Sequence, residues 1–81
     1  MNNFITTEIK YISPSRTIET IEVRNLRMQK RLYLYNYEGY SFRVFLEIES
    51  LINFFKGKCE SDFYFDSENS LDNFLETISI A

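Results

Sequence analysis

Two alternating runs, residues 31–37 (RLYLYNY) and 40–46 (YSFRVFL), flank Glu38 and Gly39, and from Ile48 onward the apolar spacing changes from two to about 3.6 residues. Strand side chains point alternately to opposite faces, so two such runs around a glycine-bearing dipeptide define a β-hairpin. A chain built this way folds around a sheet, with a helix entering directly behind the hairpin. A two-residue loop would pair Tyr37 with Tyr40, Tyr35 with Phe42 and Tyr33 with Val44 on one face. Leu32, Leu34, Asn36, Ser41, Arg43 and Phe45 would then share the other, and a longer loop would shift these pairs without breaking the alternation. Cross-strand aromatic and β-branched pairs each contribute about 0.2–1 kcal/mol to such a ribbon.

The remaining segments extend the pattern. Ile5, Thr7, Ile9 and Tyr11 alternate with Thr6, Glu8 and Lys10, and Ser13-Pro14-Ser15 reads as a turn or short loop. Thr17 to Val23 is β-branched, but Ile18 and Ile21 fall on opposite faces of an ideal pleat, which leaves open a bulge or a start near Thr20. Behind the hairpin, Ile48, Leu51, Ile52 and Phe55 form a helical stripe opposite Glu49, Asn53 and Lys56, with Gly57 placed to cap it. Ser61, Phe63 and Phe65 alternate with Asp62, Tyr64 and Asp66 in a short strand. A second helix has Asp66 or Ser67 as N-cap and Leu71, Phe74, Leu75 and Ile78 as its apolar face. The expectation is a single α+β domain over residues 1–81, two-layered and roughly ββββαβα in order. Its antiparallel or mixed sheet of four to five strands carries two amphipathic helices on one face and leaves the other open.

Size and residue inventory narrow the chemistry. A chain of 81 residues buries only about 60–65% of its unfolded surface and has little room for a pocket of roughly 300–1,000 Å³. Histidine is absent, which removes the commonest general base and metal ligand. Gly39 and Gly57 are the only glycines, so no phosphate-cradling loop is present. The acidic run from Glu60 to Glu68 lacks the spacing and central glycine of an EF-hand. Asp62 and Asp66, four positions apart on a strand, would lie roughly 13 Å from each other, too far to share a proton. No catalytic residue, metal or cofactor is expected, and the chain reads as non-enzymatic. Cys59, the single cysteine, rules out an internal disulfide and points to the cytoplasm. No segment approaches the ~20 apolar residues that span a bilayer, so no membrane role is expected.

Charge is sorted along the chain. Residues 1–46 sum to +3 and residues 47–81 to -6, within a total of -3. Such asymmetry bears on partners rather than on fold. One candidate surface is acidic, with Glu60, Asp62 and Asp66 on the last strand and Glu68, Asp72 and Glu76 along the last helix. Carboxylates on alternate strand residues recur every ~6.6 Å, about twice the ~3.4 Å phosphate rise of one DNA strand, and suit a basic nucleic-acid channel on another protein. The bland alternative is solubilising charge and helix N-terminal stabilisation.

The other candidate is basic and aromatic. Arg24, Arg27, Lys30 and Arg31 run into Tyr33, Tyr35 and Tyr37, where cations would neutralise phosphates and exposed rings would stack bases. Its alternative is that the tyrosines cover the core. In size, acidity and missing catalytic equipment the chain is similar in kind to small inhibitor proteins of phages and mobile elements, such as anti-restriction, anti-CRISPR and uracil-glycosylase inhibitors. That resemblance rests on no shared motif and carries over no residue. The abundance of Asn, Ile, Phe and Tyr fits an AT-rich bacterial or phage genome. The leading expectation is a protein-binding module that docks its acidic half on a nucleic-acid-processing protein. Direct single-strand nucleic-acid binding is the second reading, and a homodimeric structural or regulatory subunit joined through the open sheet face is the third.

Overall fold

The computed structural model describes residues 4–24 and 29–80. Strands β1 (Phe4–Ser13), β2 (Arg16–Arg24), β3 (Gln29–Tyr37), β4 (Ser41–Phe45) and β5 (Phe63–Phe65) form one antiparallel sheet, each beside its neighbour in sequence. Helix α1 (Ile48–Phe55) lies between β4 and β5, and α2 (Glu68–Ile80) follows β5. The α+β class and the order ββββαβα are those expected, with the sheet wholly antiparallel.

The hairpin takes the longer of the two loops considered, by one residue, and that residue reverses a face. Tyr37 pairs with Ser41, Tyr35 with Arg43 and Tyr33 with Phe45, so the loop holds Glu38, Gly39 and Tyr40. Glu38 (φ 53°) and Gly39 (φ 79°) both take left-handed backbone, and the Tyr40 N–H donates to the Tyr37 carbonyl at 3.3 Å. Asn36 Oδ1 accepts the Gly39 N–H (2.9 Å) and the Ser15 carbonyl accepts the Glu38 N–H (2.8 Å). These bonds hold a tight turn, after which Tyr40 stands outside the ladder as an extra residue. One extra residue moves every β4 side chain to the opposite side relative to β3. Phe42 and Val44 therefore join Leu32 and Leu34, while Arg43 and Phe45 join the tyrosines.

The helices pack on opposite faces, which corrects the expectation that both cover one. Leu71 and Leu75 of α2 close a core with Ile21, Val23, Leu32, Leu34, Phe42 and Val44. Leu51 of α1 closes another with Tyr35 and Phe45, joined by Ile18, Tyr33, Tyr37 and Phe54. The cause is in β3, where leucines on one side and tyrosines on the other leave both faces too apolar to stay open. The same two-sidedness settles β2. Ile18 serves one layer and Ile21 the other, and β2 pairs with β3 without a register shift. The irregularities fall in β1, between Thr6 and Glu8 and between Tyr11 and Ser13.

Each helix is fixed at an end by local chemistry. The Ser67 hydroxyl accepts the Ser70 N–H (3.2 Å) and so caps α2. At the end of α1, Gly57 (φ 73°) donates to the Phe54 carbonyl and Lys58 to that of Asn53, the paired bonds of a Schellman motif. The α1 stripe is rotated from the one expected. Leu51 is buried and Phe54 packs on Phe45 (ring centroids 5.4 Å), whereas Ile48 and Ile52 are 45% and 46% exposed. The Phe55 and Tyr35 rings meet edge to face with centroids 4.9 Å apart, although Phe55 is itself 47% exposed.

Because the sheet separates the two layers, Leu51→Ala and Leu75→Ala should each lower the unfolding free energy by about 2–5 kcal/mol. The double variant should equal their sum within about 0.5 kcal/mol. Urea denaturation measures all three, and a large coupling would place the two leucines in one core.

Candidate functional site

The feature that stands out beyond the core is an acidic groove on the α2 side of the sheet. Glu68, Asp72 and Glu76 recur every fourth residue and so share one side of α2, all exposed to solvent. Leu71 and Leu75 turn toward the sheet between them. Glu68 and Asp72 border a cleft of about 190 Å³ whose far wall includes Glu19 of β2 and Thr6 of β1. Glu19 also borders an adjoining shallow groove of about 380 Å³ over Ile9, Tyr11 and Glu38.

Glu19 responds to this setting. Partial burial, the dominant influence, raises its carboxyl above the ordinary glutamate value, the Thr17 side chain lowers it through a hydrogen bond, and the Glu68 carboxylate raises it. Several cations are engaged elsewhere. Lys10 pairs with Glu8 at 3.5 Å and Arg24 with Glu22 at 2.8 Å. Arg16 lies 4.4 Å above the Tyr37 ring and donates to its hydroxyl, and Arg43 sits over Phe54 and Tyr64.

The structure divides the six acids singled out in the sequence. Glu68, Asp72 and Glu76 stand together on α2. Glu60 and Asp62 border a different groove, of about 320 Å³, with Arg43 and Tyr64 on the α1 side. Asp62 has a structural task there, since its carboxylate accepts the Leu46 N–H at 2.9 Å and ties β4 to the segment before β5. Asp66 is exposed at the corner between β5 and α2. Glu19, which the sequence reading did not select, completes the acidic groove. Its place opposite Leu34 in the ladder was not legible without the register of β2 and the path of α2.

The basic and aromatic constellation is arranged differently from a base-stacking platform. Tyr35 is 8% exposed under α1, and Tyr33 and Tyr37 are half-buried beside it. Tyr35 and Tyr37 meet edge to face at 6.3 Å, spending ring surface on each other. Lys30 and Arg31 border a groove of about 500 Å³ that also holds Glu22 and Glu47, so its charge is mixed. Arg24 is the partner of Glu22, and Arg27 lies outside the described residues.

Among the described residues no group of three or more His, Cys, Asp or Glu side chains is placed to hold a metal ion, and no helix is long and apolar enough to cross a membrane. Compared with protein-family models, curated proteins and solved structures, the chain matches none.

The raised Glu19 carboxyl makes a pH prediction. The folded state binds this proton more tightly than the unfolded state, so the contribution is fully present below the unfolded value. It is lost as pH rises through the higher folded value. Glu19→Gln should therefore raise the urea midpoint at pH 7 and flatten the stability profile just above the ordinary glutamate range. A midpoint lowered at pH 7 would show that the charge is favourable where it stands.

Proposed function

We propose that this chain is a non-enzymatic binding module that docks the acidic side of α2 on a basic surface of a nucleic-acid-processing protein. The observation that carries the reading is the gathering of Glu68, Asp72 and Glu76 on one exposed helix side, with Glu19 across the cleft close enough for Glu68 to oppose its ionisation. Like charges held together cost stability. A cationic partner turns that cost into attraction, and the field of such a patch speeds encounter with a basic surface. The neighbouring Ile9 and Tyr11, 47% and 70% exposed, supply apolar contact beside the charge. An inhibitor of the phage or mobile-element kind, acting in the cytoplasm, is the form of this reading that fits the size and charge of the chain.

The test joins capture to competition. Tagged protein should retain a basic nucleic-acid-binding partner from bacterial or phage-infected lysate at about 50 mM salt and release it near 0.5 M. Purified, that partner should lose its labelled DNA or RNA when this chain is added. The triple variant Glu68→Lys, Asp72→Lys, Glu76→Lys should weaken the complex at least about a hundredfold while remaining folded by circular dichroism. Micromolar binding of the chain itself to labelled single-stranded RNA or DNA, lost on Lys30→Glu with Arg31→Glu, would overturn the proposal.

A further inference from the structure

Among the described residues, β1 is the most exposed strand. Ten residues long, it has one half-buried residue at each end and eight exposed ones between, among them Ile5, Ile9, Tyr11 and Ile12. As the first strand of the sheet order, it pairs with β2 on one side only. A strand edge presents a row of backbone donors and acceptors, and soluble proteins blunt such edges with short length, bulges, charge or proline. The two irregularities of β1, between Thr6 and Glu8 and between Tyr11 and Ser13, leave Glu8 to Tyr11 as the regular stretch of its edge. Here the length is kept. The only proline of this region, Pro14, lies beyond the end of the strand.

We infer that β1 is the contact between two copies of this chain, paired antiparallel about a two-fold axis at Ile9. The charges select this register. In a symmetric antiparallel pair the axis passes through a residue facing its own copy. An axis at Glu8 would oppose two carboxylates, and one at Lys10 would oppose two ammonium groups. An axis at Ile9 instead sets Glu8 of each copy opposite Lys10 of the other, giving two cross-strand ion pairs around an Ile9–Ile9 contact. Within one chain Glu8 and Lys10 already lie side by side, with their charged atoms 3.5 Å apart, so both groups are on the side of the strand where the exchange occurs.

The pairing builds one ten-stranded sheet in which each layer keeps its identity. A two-fold axis perpendicular to the sheet places both α2 helices on the same side. The acidic grooves then lie on either side of the paired β1 strands, with Ile9 and Tyr11 between them.

The test begins with the mass of the full chain by light scattering across a range of concentrations. The expected result is a shift toward twice 9.8 kDa as concentration rises. Glu8→Lys alone, or Lys10→Glu alone, sets like charges opposite each other and should weaken the dimer about tenfold. The double variant Glu8→Lys, Lys10→Glu should restore it, which a merely misfolded variant cannot do. The register has an independent readout. In a Cys59→Ser background, Ile9→Cys should form a disulfide between copies on mild oxidation, because facing Cα atoms lie about 4.5–5.5 Å apart. Ile5→Cys should not, since its own copy lies several residues away along the strand. A chain that stays monomeric at millimolar concentration overturns the inference, as does a dimer insensitive to both charge reversals.

Discussion

The extra residue at Tyr40 is the constraint on which the rest of the structure depends. Glu38 and Gly39 complete the tight turn, Tyr40 stands aside, and pairing resumes at Ser41. Without that offset, Phe42 and Val44 would face α1 while Arg43 and Phe45 would lie beneath α2. With it, Phe45 reaches complete burial beside Tyr35 and Phe54, and Arg43 finds ring faces in Phe54 and Tyr64. The turn thus determines which apolar set meets which helix, and a side-chain bond from Asn36 secures it.

From that register follows a sheet whose central strands are buried on both sides. A chain this short has little apolar surface to hide, and sandwiching β3 and β4 between two helices hides it efficiently. The layers differ in character. The α2 layer is an aliphatic core with phenylalanine at its β5 border, where Phe74 contacts Phe63 and Phe65. The α1 layer is an aromatic cluster held by ring contacts of about 5–6 Å, each worth about 0.5–1.5 kcal/mol beyond area burial. One helix of eight residues cannot span five strands at about 4.8 Å spacing. On that face β1 is left at the margin and Ile5, opposite Glu22, meets solvent, whereas Ile9, opposite Glu19, lies on the α2 face.

Electrostatics acts on top of this frame. The arginines near the aromatic layer are partly absorbed by it, Arg16 through Tyr37 and Arg43 through Phe54 and Tyr64. The acids of α2 are exposed on a helix whose inner side is held by Leu71 and Leu75. That separation leaves the α2 surface open to the docking proposed above. Asp62 illustrates the contrary case, an acid read as surface charge that proves to hold two segments together.

Sequence alone determined the elements, because their signals are local. Alternation gave the strands, the change of period gave α1, and the residues at helix ends gave the cap at Gly57 and narrowed that of α2 to Asp66 or Ser67. It also determined that Glu68, Asp72 and Glu76 share one side of α2, since four-residue spacing fixes that within a helix. Only the tertiary structure decided which faces met. A single residue in the hairpin loop reverses the side of a whole strand, and no local preference reports it. The side taken by α1, the burial of Tyr35 and the meeting of Glu19 with Glu68 are all set by contacts between segments distant in the chain.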